Sequence, residues 1–541
     1  MQNILIVFSG KAQSGKCFGR NTLVLMYDGS IKKVQDVEAG ELLMGDDSTP
    51  RKVLSLASGY ENLYEIQQSR GVSYIVNESH ILSLKWTHCD DSHKTGELED
   101  IELKKYLKLN KIQKRHLYGY SNSVEFKYHE TTIPPYFLGL WLGDGHSANQ
   151  GITSAHEEVK TYLETYAKDL NLKIRTVHTP NVSKSYFITT GNIKNILLTN
   201  LQKLNLINNK HVPEIYKINN RENRLQLLAG LLDTDGYYDG HGQFEISQKN
   251  ETLARDIVFL ARSLGFYASI KRVRKECVNN GVWGTYFRVA IFGNIDCIPT
   301  KIKRKIAKKR IKNVNSCLST IGVSFCGPGR YYGFVLDGNH RFLLSDFTVV
   351  HNTTCAQMLK TSIDEQFEND NPNINSKSLG NSRVQIYSFA LALKDIAEKY
   401  FGWAGDKGIY VQPIGGVDGE DVIIPDRGRQ LLINIGQHMR AIRPTVWVDY
   451  VINKIKKDAS TGSDKVFIID DMRFMNELVL AKTLDACISI RLHRHSQLEI
   501  NDTSETDLDD AEFDYYIENN GDMNALKLEL SGLFEKIKLK Y

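Results

Sequence analysis

The sequence predicts a multidomain fold: an α/β host with a parallel sheet is interrupted by a β-rich segment, which is itself interrupted by an α+β segment with two pseudo-symmetric halves. Three observations lead to this prediction. The 541 residues exceed one core, because a domain usually holds about 100 to 200 residues. A glycine-rich loop near the start is broken, and its missing end lies far downstream. An apolar helical motif occurs twice within the intervening segment.

Composition narrows the class of protein. The hydrophobic fraction of 41% and the charged fraction of 24% are those of a folded, water-soluble chain. No apolar run reaches the about 18 residues that would span a bilayer, and the start has neither a cationic lead nor a cleavage site. The eight cysteines form no CxxC or zinc-like cluster, so we expect reduced thiols and a cytoplasmic location.

The broken loop is the deciding feature of the host. An apolar strand leads into GKAQSGK at residues 10–16, which lacks only the final hydroxyl of GxxxxGK[ST]. That motif surrounds phosphates with backbone N–H groups, places a lysine on the β/γ oxygens and uses Ser or Thr for Mg²⁺. Joining Lys16 to Thr353 would restore GKAQSGKTT, although a chance match beside an unrelated HNTT is the alternative. The candidate nucleotide-binding residues are Gly10, Lys11, Ser14, Gly15, Lys16, Thr353 and Thr354.

The two ends of residues 17–352 carry the chemistry that such a joining requires. Cys17 can attack the preceding carbonyl and form a thioester, since sulfur is a strong nucleophile near neutral pH. The Thr353 hydroxyl can accept the acyl group. Asn352 can then cyclise onto its own carbonyl and free the amine of Thr353, with His351 placed to polarise that carbonyl.

At these residues the segment resembles the intein family over its whole length. Residues 17–22 with 28–30, 71–84 and 331–352 are similar to the splicing blocks of that family. The resemblance implies that His80 assists the first acyl shift and that His340 and Asp346 assist the later steps. Asn77 stands where the family usually has threonine, and its amide can still donate a hydrogen bond. A satisfied core histidine is the alternative for His80 and for His340.

An internal repeat lies within the insert. YFLGLWLGDG at residues 136–145 recurs as LAGLLDTDG at residues 228–236, and small residues would let two such helices pack closely. That packing would bring Asp144 and Asp235 together, where carboxylates can hold Mg²⁺ against phosphates. The repeat resembles the LAGLIDADG homing endonucleases, which implies a functional role for Lys210. A solvated loop lysine is the alternative.

Charge is divided unevenly along the chain. The insert carries a net charge of +10 and the flanking residues −6, which gives the total of +4. A positive field suits the backbone of double-stranded DNA, and the expected target is the gene of the host protein without the insert. The basic residues 301–305 and 308–310 are candidate DNA contacts, and a solvated linker would explain them equally well.

The flanking halves indicate one α/β protein. Residues 384–387 and 465–469 have the pattern of buried parallel strands, and Asp470 and Asp471 follow the second as acids near Mg²⁺. Arg473 comes next, Arg491 and Arg494 are placed for a closing lid, and residues 428–443 bring further arginines for an acceptor phosphate. Together these stretches resemble the deoxynucleoside monophosphate kinases of bacteriophages, which implies ATP and a dNMP as substrates and the cytoplasm of an infected cell.

The expected domains are residues 1–16 with 353–541 for the kinase, 17–115 with 315–352 for the splicing domain, and 116–314 for the endonuclease. Two other functions stay open. The host could be another P-loop small-molecule kinase or an ATPase, or the insert could be a splicing-dead relic that binds DNA. The sequence does not determine the oligomeric state.

Overall fold

The computed structural model describes residues 4–10, 17–89, 93–178, 183–189, 195–276, 283–309, 315–352, 384–401, 409–412, 422–425, 427–460, 465–484, 486–493 and 507–518, with 529, 532–533 and 536–537 near the end. Among the described helices, none is long and apolar enough to cross a membrane.

The β-rich part is built around a long two-stranded ribbon. Pro50–Gln68 pairs antiparallel with Ile321–Leu336 over nearly its whole length. The ribbon belongs to a sheet with the order Ile321–Leu336, Phe18–Gly19, Tyr74–Asn77, Pro50–Gln68 and Leu42–Met44. The sheet therefore joins the first residues of the insert to its last strands, which lie more than 300 residues later in the chain.

A second sheet and two short strand pairs complete this domain. The sheet has the order Leu318–Ser319, Leu117–Tyr120, Ile81–Trp86 and Leu98–Glu102. The pairs are Leu23–Leu25 with Ile31–Lys33 and Arg341–Leu343 with Val349–His351, and the short helices are Val34–Asp36, Leu103–Lys108 and Lys111–His116. The strand Leu117–Tyr120 of this sheet lies within the about ten residues allowed around the predicted junction at residue 115.

The α+β part has two similar halves, each built on one copy of the repeat. The first repeat helix is Pro135–Asp144 and the second is Arg221–Asp235. The first half adds the sheet Ile152–Thr153, Ser185–Thr189 and Lys173–Val177 with helices Glu157–Asp169, Ile196–Lys203 and Glu214–Lys217. The second half adds the sheet Gly236–Tyr238, Gln243–Gln248, Trp283–Phe292 and Tyr267–Glu276 with helix Glu251–Ser263 and the short helices Ile295–Cys297 and Lys303–Lys305. One hydrophobic core joins both halves.

The two repeat helices touch backbone to backbone, as the small residues predicted. A Cβ atom on Gly139 would lie 2.3 Å from the carbonyl oxygen of Leu227, and one on Gly230 would lie 2.3 Å from that of Tyr136. Any side chain at either position would force the helices apart. The close contact is therefore confirmed, and it places the ends of both helices side by side.

Replacing Gly139 by alanine is expected to destabilise this domain by about 1–3 kcal/mol, because overpacking against backbone has no flexible neighbour to absorb it. Hydrogen exchange of the two repeat helices should measure the loss. Gly322→Ala is the matched control, since its Cβ would meet nothing closer than 3.6 Å. Unchanged exchange in the Gly139 variant would contradict the packing described here.

The flanking residues form a five-stranded parallel sheet. Its order is Val384–Tyr387, Val466–Met472, Ile4–Gly10, Cys487–His493 and Tyr515–Glu518. The helices Ala390–Phe401, Arg427–Ile442, Val446–Ala459 and Met475–Ala481 accompany it, with a ribbon of Ile409–Gln412 and Val422–Pro425. The parallel strands expected from residues 384–387 and 465–469 are confirmed, and the strand that leads into the broken loop lies at the centre.

Candidate functional site

The start of the insert is held by hydrogen bonds on both sides of Cys17. This cysteine is fully buried, and its backbone N–H donates to Oδ1 of Asn77 over 2.9 Å. The backbone N–H of Asn77 donates in return to the carbonyl oxygen of Cys17 over 3.1 Å. The carboxamide of Asn77 thus accepts from Cys17 through its oxygen, and its NH₂ group donates to Oε2 of Glu61 over 2.6 Å.

His80 lies in the same buried turn. Its backbone N–H donates to the carbonyl oxygen of Asn77 over 3.0 Å, and its ring meets the edge of the Phe18 ring at 4.6 Å between centroids. The imidazole is fully buried next to the residue that follows Cys17. This position agrees with an assisting role at the first junction.

The end of the insert is equally buried. The backbone N–H of Asn352 donates to the carbonyl oxygen of His340 over 2.9 Å, and its Nδ2 donates to that of Phe334 over 2.6 Å. The ring of His351 lies 6.0 Å from that of His340. Nδ1 of His340 pairs with the carbonyl oxygen of Leu336, and burial lowers the pKa of this imidazole. His340 thus lies beside the C-terminal junction, and its backbone carbonyl holds Asn352 in place.

Both ends of the insert contact the strand Ile321–Leu336. Phe18, next to Cys17, pairs with Tyr332, and the side chain of Asn352 reaches the carbonyl of Phe334. Two residues along a strand correspond to about 7 Å. The structure therefore brings together Cys17, Asn77, His80, His340, His351 and Asn352, while Thr353 lies outside the described residues.

Asp346 accepts two hydrogen bonds from the backbone. Its Oδ2 accepts from the backbone N–H of Val72 over 2.6 Å, and its Oδ1 accepts from that of Thr348 over 3.1 Å. These bonds tie the turn before Tyr74–Asn77 to the terminal hairpin. Asp346 thus anchors the loop that leads to Asn77 and His80. Neither of these two bonds is to a residue at a splice junction.

The two predicted acids lie at the adjoining ends of the repeat helices. Burial and the charge of Asp235 raise the pKa of Asp144 to about 6. Burial likewise raises the pKa of Asp235, whose Oδ2 accepts from Nε2 of Gln248 over 2.6 Å. The charge of each neighbouring carboxylate makes ionisation of the other more costly.

Two lysines complete this site in a pseudo-symmetric way. Nζ of Lys210 donates to the carbonyl oxygens of Gly143 and Gly145 at the end of the first repeat helix. Nζ of Lys305 donates over 2.9 Å to those of Leu232, Asp233 and Thr234 at the end of the second. Burial lowers the pKa of Lys210 and lowers that of Lys305 to about 8, while both aspartates act to raise them.

The position of Lys305 corrects, for this residue, the prediction that residues 301–305 contact DNA. It is 2% exposed, so it belongs to the acidic site and not to an outward DNA-binding face. Sequence reasoning missed it because it lies in a basic cluster that has no resemblance to the surroundings of Lys210. Gln248 was also missed, since a glutamine in a strand carries no signal of its own.

The host residues are described only in part. Asp470 is exposed at the end of its strand, and Asp471 accepts from Oγ of Ser388 and, over 2.7 Å, from the backbone N–H of Phe389. The backbone N–H of Arg473 donates to Glu477 over 2.8 Å. Gly10 ends the central strand. Outside the described residues lie Lys11, Ser14, Gly15, Lys16, Thr353, Thr354 and Arg494.

Arg491 contradicts the lid that we expected. Its guanidinium is 6% exposed and donates to Oγ of Ser9 over 2.8 Å and to Oδ1 of Asp509 over 2.7 Å. An arginine fixed within a sheet strand by two partners cannot swing over a substrate. Its place beside the strand that leads into the glycine-rich loop makes it a structural ion-pair member.

Together, fold and site define a β-rich domain whose ends converge, interrupted by a two-helix domain with paired acids. The family described as Hom_end-associated Hint matches residues 17–125. The family described as Homing endonuclease matches residues 211–294. The chain therefore contains a Hint domain and a homing endonuclease domain, the combination of an intein that carries a homing endonuclease.

Curated relatives share part of the chain. The replicative DNA helicase DnaB of Mycobacterium intracellulare is 28% identical over 264 residues, which are 44% of this chain and 41% of the relative. The V-type proton ATPase catalytic subunit of Candida tropicalis is 22% identical over 472 residues, covering 62% of this chain and 43% of the relative. This chain thus spans about two fifths of the length of these relatives.

Solved structures show similar partial likeness. A crystal structure of I-DmoI in complex with DNA and Ca is 17% identical and covers 33% of this chain and 94% of its own, with a TM-score of 0.23. A crystal structure of the gp41-1 intein is 18% identical and covers 16% of this chain and 79% of its own, with a TM-score of 0.13.

Proposed function

We propose that residues 17–352 excise themselves and join Lys16 to Thr353. The sulfur of Cys17 bonds to the carbonyl carbon of Lys16, the C–N bond breaks, and the thiol proton ends on the Cys17 nitrogen. The Thr353 oxygen then takes the acyl group from sulfur, which regains a proton. Nδ2 of Asn352 attacks its own carbonyl, forms a succinimide and releases the Thr353 amine, to which the acyl group moves from oxygen.

One observation carries this proposal: Phe18, the residue after the buried Cys17, pairs with Tyr332, and the side chain of the buried Asn352 donates to the carbonyl oxygen of Phe334, two residues further along the same strand. Burial of both junctions excludes the bulk water that would otherwise hydrolyse a thioester. The buried His340 and the fully buried His80 supply imidazoles near the second and first junctions, and burial lowers the pKa of His340. The match of residues 17–125 to a Hint family agrees with this chemistry.

Intact mass measurement of the expressed full chain tests the proposal. We expect two products, a ligated host of residues 1–16 with 353–541 and an excised segment one water lighter than its hydrolysed form. The missing water identifies the succinimide. A chain that keeps the mass of all 541 residues under native conditions would overturn the proposal and favour a splicing-dead relic.

We also propose that the excised segment cuts double-stranded DNA at the joined form of its host gene. Asp144 and Asp235 fit a divalent cation, because both are carboxylates, both remain accessible to solvent at the ends of the repeat helices, and the charge of Asp235 raises the cost of ionising Asp144. Bound there, Mg²⁺ would stabilise charge on the scissile phosphates. Lys210 and Lys305 place ammonium groups beside the same carboxylates, and the net charge of +10 on the insert favours the DNA backbone.

A second activity is proposed for the host: transfer of the γ-phosphate of ATP to a deoxynucleoside monophosphate, with Mg²⁺. The supporting observation is the central strand Ile4–Gly10, which leads into the GKAQSGK loop and has Val466–Met472 as its parallel neighbour, with Asp470 and Asp471 at the end of that strand. ADP release from the spliced host with each dNMP tests this. Release without any dNMP would favour a plain ATPase, and release only with another acceptor would favour a different small-molecule kinase.

A further inference from the structure

Glu61 accepts a hydrogen bond from the side chain of Asn77, which in turn accepts from the backbone N–H of Cys17 at the first splice junction. It belongs to the ribbon strand Pro50–Gln68, and both of its carboxylate oxygens are engaged by the turn that leads to His80. Oε2 accepts from Nδ2 of Asn77 over 2.6 Å, and Oε1 accepts from Oγ of Ser79 over 2.9 Å. Asn77 is fully buried and Ser79 is 4% exposed, so this carboxylate reaches the interior of the turn.

Glu61 determines which end of the Asn77 carboxamide faces Cys17. An asparagine side chain has one accepting end and one donating end, whereas a carboxylate only accepts. The donating end of Asn77 must therefore face Glu61, and its oxygen must face Cys17. We propose that Glu61 is a positioning residue for the acyl shift at Cys17, holding the Asn77 carboxamide so that its oxygen accepts the N–H of the scissile peptide. This inference rests on the splicing proposed above.

The contacts of Asn77 and Glu61 also favour the product of the acyl shift, which is the protonated α-amine of Cys17. Fixing the N–H on the side of Asn77 leaves the opposite side of the nitrogen to receive the transferred proton. The shift releases an α-amine, and such an amine has a pKa of about 7.7 to 8.0 and takes up a proton from water near neutral pH. Oδ1 of Asn77 accepts from that ammonium, and the negative charge of Glu61 lies one bond beyond. A protonated amine cannot attack the thioester and reverse the step.

The hydrogen bonds from Cys17 to Asn77 and from Asn77 to Glu61 also explain how this chain functions with Asn77 in place of threonine. A threonine hydroxyl can donate and accept at once and rotates freely, so it needs no partner to set its direction. A carboxamide could equally turn its NH₂ group towards Cys17, where two donors would oppose each other. Glu61 removes that alternative, which predicts that the effects of Glu61 and Asn77 depend on each other.

Two full-chain backgrounds separate the steps. With Asn352→Ala, cleavage after Lys16 by dithiothreitol reports the thioester; with Cys17→Ala, cleavage after Asn352 reports the C-terminal step. We expect Glu61→Ala to slow thiol-dependent cleavage about tenfold, the effect of one lost hydrogen bond to a charged group. C-terminal cleavage should stay within about twofold, as for an independent site. Glu65→Ala is the matched control, because Glu65 lies on the same strand and its side chain bonds Gln67 and Ser324, away from the turn.

Conservative changes test positioning directly. Glu61→Gln keeps a carbonyl oxygen for Asn77 and should remain within about threefold of the parent, whereas Glu61→Ala added to Asn77→Thr should cost much less than in the parent. An unchanged thioester rate in Glu61→Ala would overturn the inference, and so would equal losses in both backgrounds, which indicate a folding defect. If the chain with Glu61 intact yields no thiol-dependent cleavage, splicing itself fails and not only the role of Glu61.

Discussion

The full chain that carries both Cys17→Ala and Asn352→Ala is expected to stay a single polypeptide and to lack phosphotransfer, whereas the parent chain splices and acquires it. The first change removes the nucleophile and the second removes the cyclising amide, so neither peptide bond can open. We expect ligated product to fall by at least about 1000-fold, the order of loss when a covalent nucleophile is removed. Intact mass and dNMP-dependent ADP release measure both effects.

Phosphotransfer should be absent for a separate reason. In the unspliced chain, Cys17 occupies the position of the hydroxyl that would bind Mg²⁺, and its backbone is held in the buried pair with Asn77. The glycine-rich loop therefore cannot continue into the helix that closes a phosphate site. The single variants serve as controls, since Cys17→Ala alone should still cleave after Asn352. ADP release by the unspliced double variant at the rate of the ligated host would contradict the prediction that phosphotransfer depends on splicing.

The sequence was sufficient to predict features that depend on spacing and residue type. The repeat indicated two close helices because glycine at the same place in each copy leaves only one way to pack, and Gly139 and Gly230 do meet. The convergence of Cys17 and Asn352 followed from the chemistry of rejoining. Both predictions concern residues whose partners follow from a repeated sequence pattern or from the bonds that must break and form when the flanking segments are joined.

Other parts of the site depended on contacts that no local pattern carries. Lys305 in a basic run has the same local appearance as an outward DNA contact, and only the fold of the second half directs it to the end of its helix. Glu61 and Asn77 are brought together by a strand pairing, so the polarity of the carboxamide could not be known in advance. Arg491 was expected at a lid, but a parallel strand beside Ser9 fixes it within the sheet.

Replacing Asp144 and Asp235 together by asparagine is expected to abolish DNA cleavage by the excised segment while leaving DNA binding almost unchanged. Each change removes a negative charge that would hold Mg²⁺, and two such losses should lower the cleavage rate by at least about 1000-fold. Binding depends on the positive field of the insert and its phosphate contacts, which these two acids do not provide. Cleavage of a plasmid that bears the joined host gene, and a mobility shift of the same site, measure the two effects.

The double variant has a further consequence for the fold. The carboxylates oppose each other, as the raised pKa of Asp144 indicates, so neutral asparagines should stabilise the domain in the absence of metal. Asp169→Asn is the matched control, because Asp169 is exposed at the end of helix Glu157–Asp169. Its cleavage rate and thermal midpoint should equal those of the parent. Full cleavage by the double variant would remove Asp144 and Asp235 from the catalytic site and leave their close approach without a functional reason.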